Sequence, residues 1–410
     1  MINEPEQQEI QKNNFRYVQI DAIGVSIANV AAPFLPVFLT RLGASNFQVG
    51  LLTSMPGITG LILAIIVGRF LQTRTNIVPW YSFSRLLVIS CYTLTGLLTF
   101  VLSKEYAIIA TLAIWAFATL PQTALAVAFS VVMNAVAGPE GRYALLSRRW
   151  AIFGLTSVVM TFLVTRTIDL VEFPRNYELM FFGLSIGGLI SYYFSNQIKL
   201  PNHASRPTVL APSSSAFDSA RNYFSLIRGA PAFTSFALKK FVYVSAITLS
   251  QPIMPLFLVR EVKATDSQIG TITMAMTIVM LAGYLIWPWS SRKYGGRFVL
   301  LATTFGMIFY PALTAFTPQV PLIIIYAAIA GLFQAGLDLV FFDELMKTVP
   351  PEYSATFVSL VQSMQYLSAI IAPLVGTWLA DSIGLGGALW VSAGLRLLGF
   401  LLFLRKDTHV

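Results

Sequence analysis

Six polar side chains lie inside long apolar runs of this 410-residue sequence: Asp21, Asn29, Gln122, Lys240, Gln334 and Asp338. A carboxylate in apolar surroundings can take up and release a proton, and amide side chains can donate and accept hydrogen bonds to a small solute. The sequence contains no phosphate-binding glycine loop and no metal-ligand spacing, and its single cysteine lies in an apolar run. We therefore expect no enzyme activity and no cofactor.

The composition indicates the surroundings of these residues. Hydrophobic residues make up 56% of the chain and charged residues only 11%, and the mean hydropathy is +0.71. So few polar side chains cannot cover a soluble surface, which indicates an integral membrane protein. Apolar stretches of about 20 residues recur without strand-like alternation, so the fold class is all-α and multi-pass.

Twelve membrane-spanning helices are predicted, with a cytoplasmic N-terminus. Most of the 27 lysines and arginines then fall on the cytoplasmic side, which is the positive-inside pattern and also explains the net charge of +9 without a nucleic-acid partner. Both termini are expected to be cytoplasmic, in the plasma (inner) membrane if the source is bacterial. The predicted spans are 17–40, 48–70, 78–101, 106–135, 149–168, 178–197, 234–257, 269–290, 298–316, 321–345, 355–379 and 385–403.

Two pairs of similar segments show that the chain contains an internal repeat. Residues 33–50, PFLPVFLTRLGASNFQVG, correspond to residues 252–270, PIMPLFLVREVKATDSQIG, with one inserted residue in the second copy. Residues 122–140 align without a gap on residues 334–352. Two repeats at nearly one offset indicate two halves that derive from one unit.

The repeat fixes the predicted domain organisation. Six spans form an N-terminal half at 1–198, a polar cytoplasmic linker follows at 199–233, and six more spans form a C-terminal half at 234–410. A half with an even number of spans ends on the side where it began, so the two halves have the same orientation in the membrane.

This organisation resembles the major facilitator superfamily of secondary transporters, over residues 15–403. The loop after helix 2, GRFLQTRTN at 68–76, and the loop after helix 8, SSRKYGGRF at 290–298, are similar to the family's glycine- and arginine-containing loop motif. The acidic position of that motif is Gln72 in the first loop and Arg292 in the second. Asp343 and Glu344 are therefore expected to supply the cytoplasmic negative charge, pairing with basic residues of the second loop: Arg292, Lys293 or Arg297.

The resemblance implies that helices 1, 4, 7 and 10 line a central cavity. Asp21 and Asn29 are on helix 1, and we expect them to share a face, with Asp21 as a coupling carboxylate, a substrate contact, or a carboxylate hydrated near the headgroups. Lys240 occupies the repeat position of Asp21, so an Asp21–Lys240 salt bridge is one hypothesis. The alternative is that Lys239 and Lys240 extend to the cytoplasmic surface.

The amide side chains of the second pair of repeated segments form the predicted substrate site. Gln122 and Gln334 are repeat equivalents near the middle of helices 4 and 10, where secondary transporters bind their substrates. Asp338 lies four residues after Gln334 and so on its face. The alternative role for the glutamines is interhelical hydrogen bonding.

Three arginines near or within spans need an explanation. Arg396, in helix 12, is expected to turn away from lipid, with a structural or gating role. Arg85 is expected to extend to the cytoplasmic surface. Arg149, in the basic loop between helices 4 and 5, is interpreted as a topological signal, with lipid-headgroup binding or gating as alternatives.

We therefore predict a secondary transporter that moves a small-molecule substrate by alternating access. Protons, or another coupling ion, would drive it through Asp338 or Asp21, and a uniporter remains an alternative. Membrane lipids are expected partners, nucleic acid is not, and the protein is expected to act as a monomer. The competing class is a non-transporting membrane protein on the same fold, such as a pigment or lipid assembly factor or a sensor.

Overall fold

The chain is all-helical over the part that the structure, a computed structural model, describes: residues 4–72, 74, 76–200, 230–348 and 354–405. These residues contain no strand. The helices are α1 (Glu4–Asn29), α2 (Phe34–Leu42), α3 (Asn46–Gln72), α4 (Val78–Val101), α5 (Lys104–Thr167), α6 (Arg175–Asn196), α7 (Pro231–Ser250), α8 (Ile253–Arg260), α9 (Asp266–Tyr294), α10 (Gly296–Phe316), α11 (Val320–Thr348) and α12 (Ser354–Leu404).

Ten of the twelve predicted spans lie on a single helix to within a residue, and the other two each cover a pair of helices, so helices and spans do not correspond one to one. Nine stretches of the described residues are long and apolar enough to cross a membrane. Helix α5, 64 residues long, runs through two predicted spans and the loop between them. Helix α12 also contains two spans, and its non-helical residue Gly384, with φ 83° and ψ 163°, falls in the predicted gap.

Two spans predicted as continuous are broken, and the repeated prolines explain both breaks. Helix α1 ends at Asn29 before Pro33, and α7 ends at Ser250 before Pro252. A proline has no N–H to donate within a helix, and its ring clashes with the carbonyl four residues earlier. The chain therefore interrupts each helix and starts a short new one, α2 or α8, right after the proline.

The repeated glutamines are part of two capping boxes. In the first copy the N–H of Ser45 donates to Gln48 Oε1 (2.7 Å) and the N–H of Gln48 donates to Ser45 Oγ (3.2 Å). In the second copy Thr265 and Gln268 make the same exchange at 2.9 and 3.2 Å. Each box satisfies two backbone donors at a helix start, so the repeat encodes the starts of α3 and α9.

The repeated glycines let helices approach closely. A Cβ at Gly50 would lie 2.7 Å from Thr377 Oγ1, and a Cβ at Gly270 would lie 2.1 Å from Thr165 Cγ2. Both distances are far below van der Waals contact. Glycine is therefore required by packing at these two equivalent positions.

The chain divides into two compact units. The first comprises Met1–Gln48, Ile58–Pro207 and Thr265–Thr271, and the second comprises Val49–Gly57, Thr208–Ala264 and Ile272–Val410. Most of the predicted linker at 199–233 lies outside the described residues, because these stop at 200 and resume at 230. The predicted domain boundaries therefore stay a prediction.

Each unit has its own buried core. In the first, α1 packs on α5 and α6, and α4 packs on the same two helices; its buried residues include Val18, Tyr81 and Val132. In the second, α12 packs on α7 and α10, and α10 packs on α11; Tyr243 and Phe341 are among its buried residues. These packed helices hold the polar residues described next.

Candidate functional site

Asp338 is the centre of a polar network on α11 and α9. Gln334 Nε2 donates to Asp338 Oδ1 (2.8 Å), one helical turn away, and the Tyr284 hydroxyl donates to Asp338 Oδ2 (3.0 Å). The four-residue spacing predicted that the two side chains share a face, and the structure shows that they are hydrogen-bonded. Tyr284 is a partner that the sequence did not indicate, because it comes from another helix. Asp338 itself is exposed, so the carboxylate is oriented by two neutral donors and remains accessible.

Lys240 adds a cation to the same unit. Its residue exposure is 8%, its ammonium lies 5.5 Å from the centre of the Phe341 ring, and it is close enough to Asp338 to interact electrostatically. It also lines a small cavity together with Gln365. The neighbouring Lys239 behaves differently: its Nζ donates to the backbone carbonyl of Arg405 (3.4 Å) at an exposed position. Extension to the surface therefore describes Lys239 and not Lys240.

Two predicted site residues have other surroundings than expected. Asn29 is exposed and is the last residue of α1, whereas Asp21 is fully buried. The two residues therefore have different surroundings, although eight residues turn an α-helix by only about 80°. Gln122 is half-buried on α5. Its place with Gln334 in a substrate site stays a prediction.

Asp21 is part of a buried charge cluster in the first unit. Arg85 Nη2 lies 3.1 Å from Asp21 Oδ2 and Arg149 Nη2 lies 3.7 Å from the same oxygen. Ser191 Oγ donates to Asp21 Oδ1 (2.6 Å), and the Tyr81 hydroxyl, which also contacts Arg85, lies 3.5 Å from Oδ2. The hypothesis of an Asp21–Lys240 salt bridge is therefore wrong. Asp21 forms its ion pairs with Arg85 on α4 and Arg149 on α5.

This cluster corrects the interpretation of both arginines. Arg85 was expected to extend to the surface, but it is 5% exposed. Arg149, interpreted as a topological charge of a loop, is 3% exposed and lies on the long helix α5. Burial of both is possible because the Asp21 carboxylate forms an ion pair with each of them in the same low-dielectric space.

Arg396 is buried, at 3% exposure, and its partners are neutral. Its Nη1 donates to the Met307 carbonyl and its Nη2 to Ser250 Oγ, both at 2.8 Å. Met307 lies four residues before Pro311 in α10, and a proline cannot donate to the carbonyl four residues back. Arg396 therefore satisfies a carbonyl that the helix itself leaves unpaired, which is a structural role.

Asp343 and Glu344 were predicted to pair with basic residues of the loop after helix 8, and this prediction was wrong. Both carboxylates pair with Lys347, at 2.7 and 2.9 Å, because residues three and four apart on one helix are neighbours. Arg292 Nε donates to the Pro288 carbonyl (3.3 Å) and Arg297 Nη2 donates to the Leu404 carbonyl (3.0 Å), both at exposed positions. Arg297 therefore caps the end of α12, whereas Arg292 contacts a carbonyl of its own helix, α9.

The described residues contain no group of three or more His, Cys, Asp or Glu side chains placed to hold a metal ion. Of the polar networks that they do contain, the one around Asp338 combines an accessible carboxylate, an amide, a phenol and a nearby ammonium. Such a set can accept hydrogen bonds from a solute and exchange a proton with it or with water.

Comparisons with known proteins agree with this architecture. Residues 236–410 match the model of the family described as Major Facilitator Superfamily. The sequence has no significant match among curated proteins. Many solved structures share the fold, at low sequence identity.

Three of these structures illustrate the likeness. A point mutant of the nucleoside transporter NupG has a TM-score of 0.77 at 12% identity, over 95% of this chain and 99% of its own. The human organic anion transporter MFSD10 (TETRAN) has a TM-score of 0.63 at 13% identity, over 96% and 99%. A bacterial homologue of the iron transporter ferroportin, in an inward-facing state, has a TM-score of 0.69 at 16% identity, over 97% and 98%.

Proposed function

Because this chain has the fold of the major facilitator superfamily, whose family model its residues 236–410 match, we propose that it is a secondary transporter of a small solute. The two repeat halves would expose the site alternately to the two sides of the membrane. Asp338, with Gln334, Tyr284 and Lys240, would form the substrate and coupling site. The transported ion would be a proton.

The accessibility of Asp338 is the observation that carries this proposal. Its carboxylate is exposed and receives hydrogen bonds from neutral groups, an amide and a phenol. Protonating it therefore breaks no hydrogen-bonded ion pair. Intramembrane carboxylates of this kind are functional candidates because keeping them in the membrane costs about 2.5–3.5 kcal/mol.

Asp21, the other coupling acid suggested by the sequence, is less suited to the role. It is fully buried, and both of its oxygens are engaged by Arg85, Arg149 and Ser191. Adding a proton would leave two guanidiniums without a counter-charge in a low-dielectric space, at a cost of several kcal/mol. Asp21 therefore serves the structure of its unit, and Asp338 couples.

The site suggests a solute that carries hydrogen-bond donors. Asp338 offers carboxylate acceptors and Lys240 a nearby positive charge, so a polar or amphoteric molecule fits better than a purely apolar one. Nucleosides and organic anions, named for two structures of this fold, are the first solutes to test.

The test measures ligand-induced thermal stabilisation of the detergent-purified protein at mildly acidic and mildly alkaline pH. A ligand that binds only the native state raises Tm by mass action. We expect the shift for a substrate to depend on pH in the wild type and to lose that dependence in Asp338→Asn. Asp343→Asn, on the same helix but paired with Lys347, is the matched control and should behave like the wild type.

Uptake of the identified ligand is then measured in proteoliposomes. Asp338→Asn should abolish accumulation driven by a pH gradient while keeping exchange of internal for external substrate. If no solute stabilises the protein and Asp338→Asn is indistinguishable from the wild type, the transport proposal is refuted in favour of a non-transporting membrane protein.

A further inference from the structure

The buried cluster of the first unit contains more positive than negative charge. Arg85 and Arg149 share one carboxylate, that of Asp21, and the three residues are 5%, 3% and 0% exposed. Among the described side chains, no other carboxylate forms an ion pair with either guanidinium. The cluster therefore has a net charge of one positive unit in a space from which water is excluded, and such a charge is costly unless an anion balances it.

The hydrogen-bond donors of the cluster are also in excess. Asp21 already accepts from Ser191 on one oxygen and from Arg85 and Tyr81 on the other. Among the described residues, no group accepts from the buried Nε atoms of Arg85 and Arg149. A guanidinium offers five N–H donors in a fork that matches carboxylate and phosphate oxygens. The unused donors lie on both arginines, so one further oxyanion could satisfy the pair.

The position of Arg149 indicates where that anion would come from. Arg149 is the first residue of the predicted span 149–168, which places it at the depth where a span meets the headgroups. Its guanidinium lies 4.6 Å from the Phe129 ring centre and 5.6 Å from that of Trp150. Trp150 is 53% exposed, and Arg148 is exposed as well. A change of the Arg149 rotamer would thus bring the cluster into contact with the headgroup layer.

We propose that Asp21, Arg85 and Arg149 form the inner wall of a binding site for a singly charged phosphate oxyanion, either the phosphodiester of an anionic lipid or free phosphate. The anion occupies the unused donor edges of the two arginines and brings the cluster to zero net charge. Asp21 stays in the site, holding the two guanidiniums against their mutual repulsion. The site lies wholly in the first unit and is independent of the transport site around Asp338.

The experiment measures Tm of delipidated protein in detergent with three additions: inorganic phosphate, micelles doped with phosphatidylglycerol, and micelles doped with phosphatidylcholine as the zwitterionic reference. At a ligand concentration about ten times Kd, we expect Tm of the wild type to rise by about 1–3 °C. A rise with phosphate identifies the free anion as a ligand. A rise with phosphatidylglycerol alone identifies the lipid.

Three variants separate this site from general surface charge. Arg149→Gln removes one guanidinium of the cluster and should lose the Tm rise, whereas Arg148→Gln, its exposed neighbour, should keep it. Asp21→Asn removes the internal negative charge and should respond to the anion more strongly than the wild type. If a variant of the cluster cannot be purified, the three additions to the wild type and the Arg148→Gln control still decide.

Three results would overturn the proposal. The first is a wild type whose Tm responds to neither phosphate nor phosphatidylglycerol beyond the phosphatidylcholine reference. The second is equal loss of the response in Arg148→Gln and Arg149→Gln, which would assign it to surface charge. The third is an Asp21→Asn variant that responds less than the wild type.

Discussion

Arg396 and Pro311 should be energetically coupled through the Met307 carbonyl. Pro311 removes the N–H that would bond this carbonyl within α10, and Arg396 Nη1 donates to it instead at 2.8 Å. In Arg396→Met the carbonyl loses this donor, and a buried unsatisfied carbonyl costs about 1–3 kcal/mol. In Pro311→Ala the new N–H supplies a donor from the helix itself. Arg396→Met should therefore be less harmful in the Pro311→Ala background by about 1–3 kcal/mol.

The coupling is a sharper quantity than the single substitution. Arg396→Met also removes a buried cation, and the stability gained in this way is similar in size to the stability lost with its hydrogen bonds. The sign of the change in unfolding free energy for the single variant is therefore not diagnostic. The charge contribution is the same whether position 311 holds proline or alanine, and it cancels in the cycle. The difference that remains belongs to the Met307 carbonyl.

The assay is unfolding by titration with a denaturing detergent, applied to the wild type, both single variants and the double variant. Pro288→Ala is the control: Pro288 frees a different carbonyl, that of Tyr284 in α9, and should be additive with Arg396→Met within about 0.5 kcal/mol. A cycle that is additive for Pro311 as well would refute the assignment of Arg396 to the Met307 carbonyl.

Two further predictions concern the repeated segments. Lys263, the exposed residue with φ 54° after α8, stands where the first copy has Gly43 with φ 96°. Because a left-handed backbone disfavours a residue with a Cβ, Lys263→Gly should raise the free energy of unfolding by about 0.5–1 kcal/mol in the same titration. An unchanged or lower stability would contradict this. Gly270→Ala should lower Tm, since the new Cβ would lie 2.1 Å from Thr165 Cγ2, by an amount that corresponds to about 1–3 kcal/mol. Thr165→Ser, which lacks that methyl group, should restore most of the loss; failure of this rescue would place the strain elsewhere.

The sequence alone was sufficient for the membrane class, the all-helical fold and the internal repeat. These depend on local quantities: the free energy of moving apolar residues into lipid and the need to satisfy backbone hydrogen bonds within each span. The four-residue spacing of Gln334 and Asp338 likewise implied that they share a face, because neighbours on one helix are set by its pitch. The repeated prolines, however, were visible in the sequence without revealing that they break two spans.

Only the tertiary structure decided which charges meet. Asp21 pairs with Arg85 and Arg149, which lie 64 and 128 residues away in the chain, and Asp338 receives its second hydrogen bond from Tyr284 on another helix. Sequence periodicity gives the face of a residue on its own helix, but not the rotation and depth at which two helices pack. A buried ionic group is stabilised by whatever lies within a few ångströms of it, so its role depends on that packing.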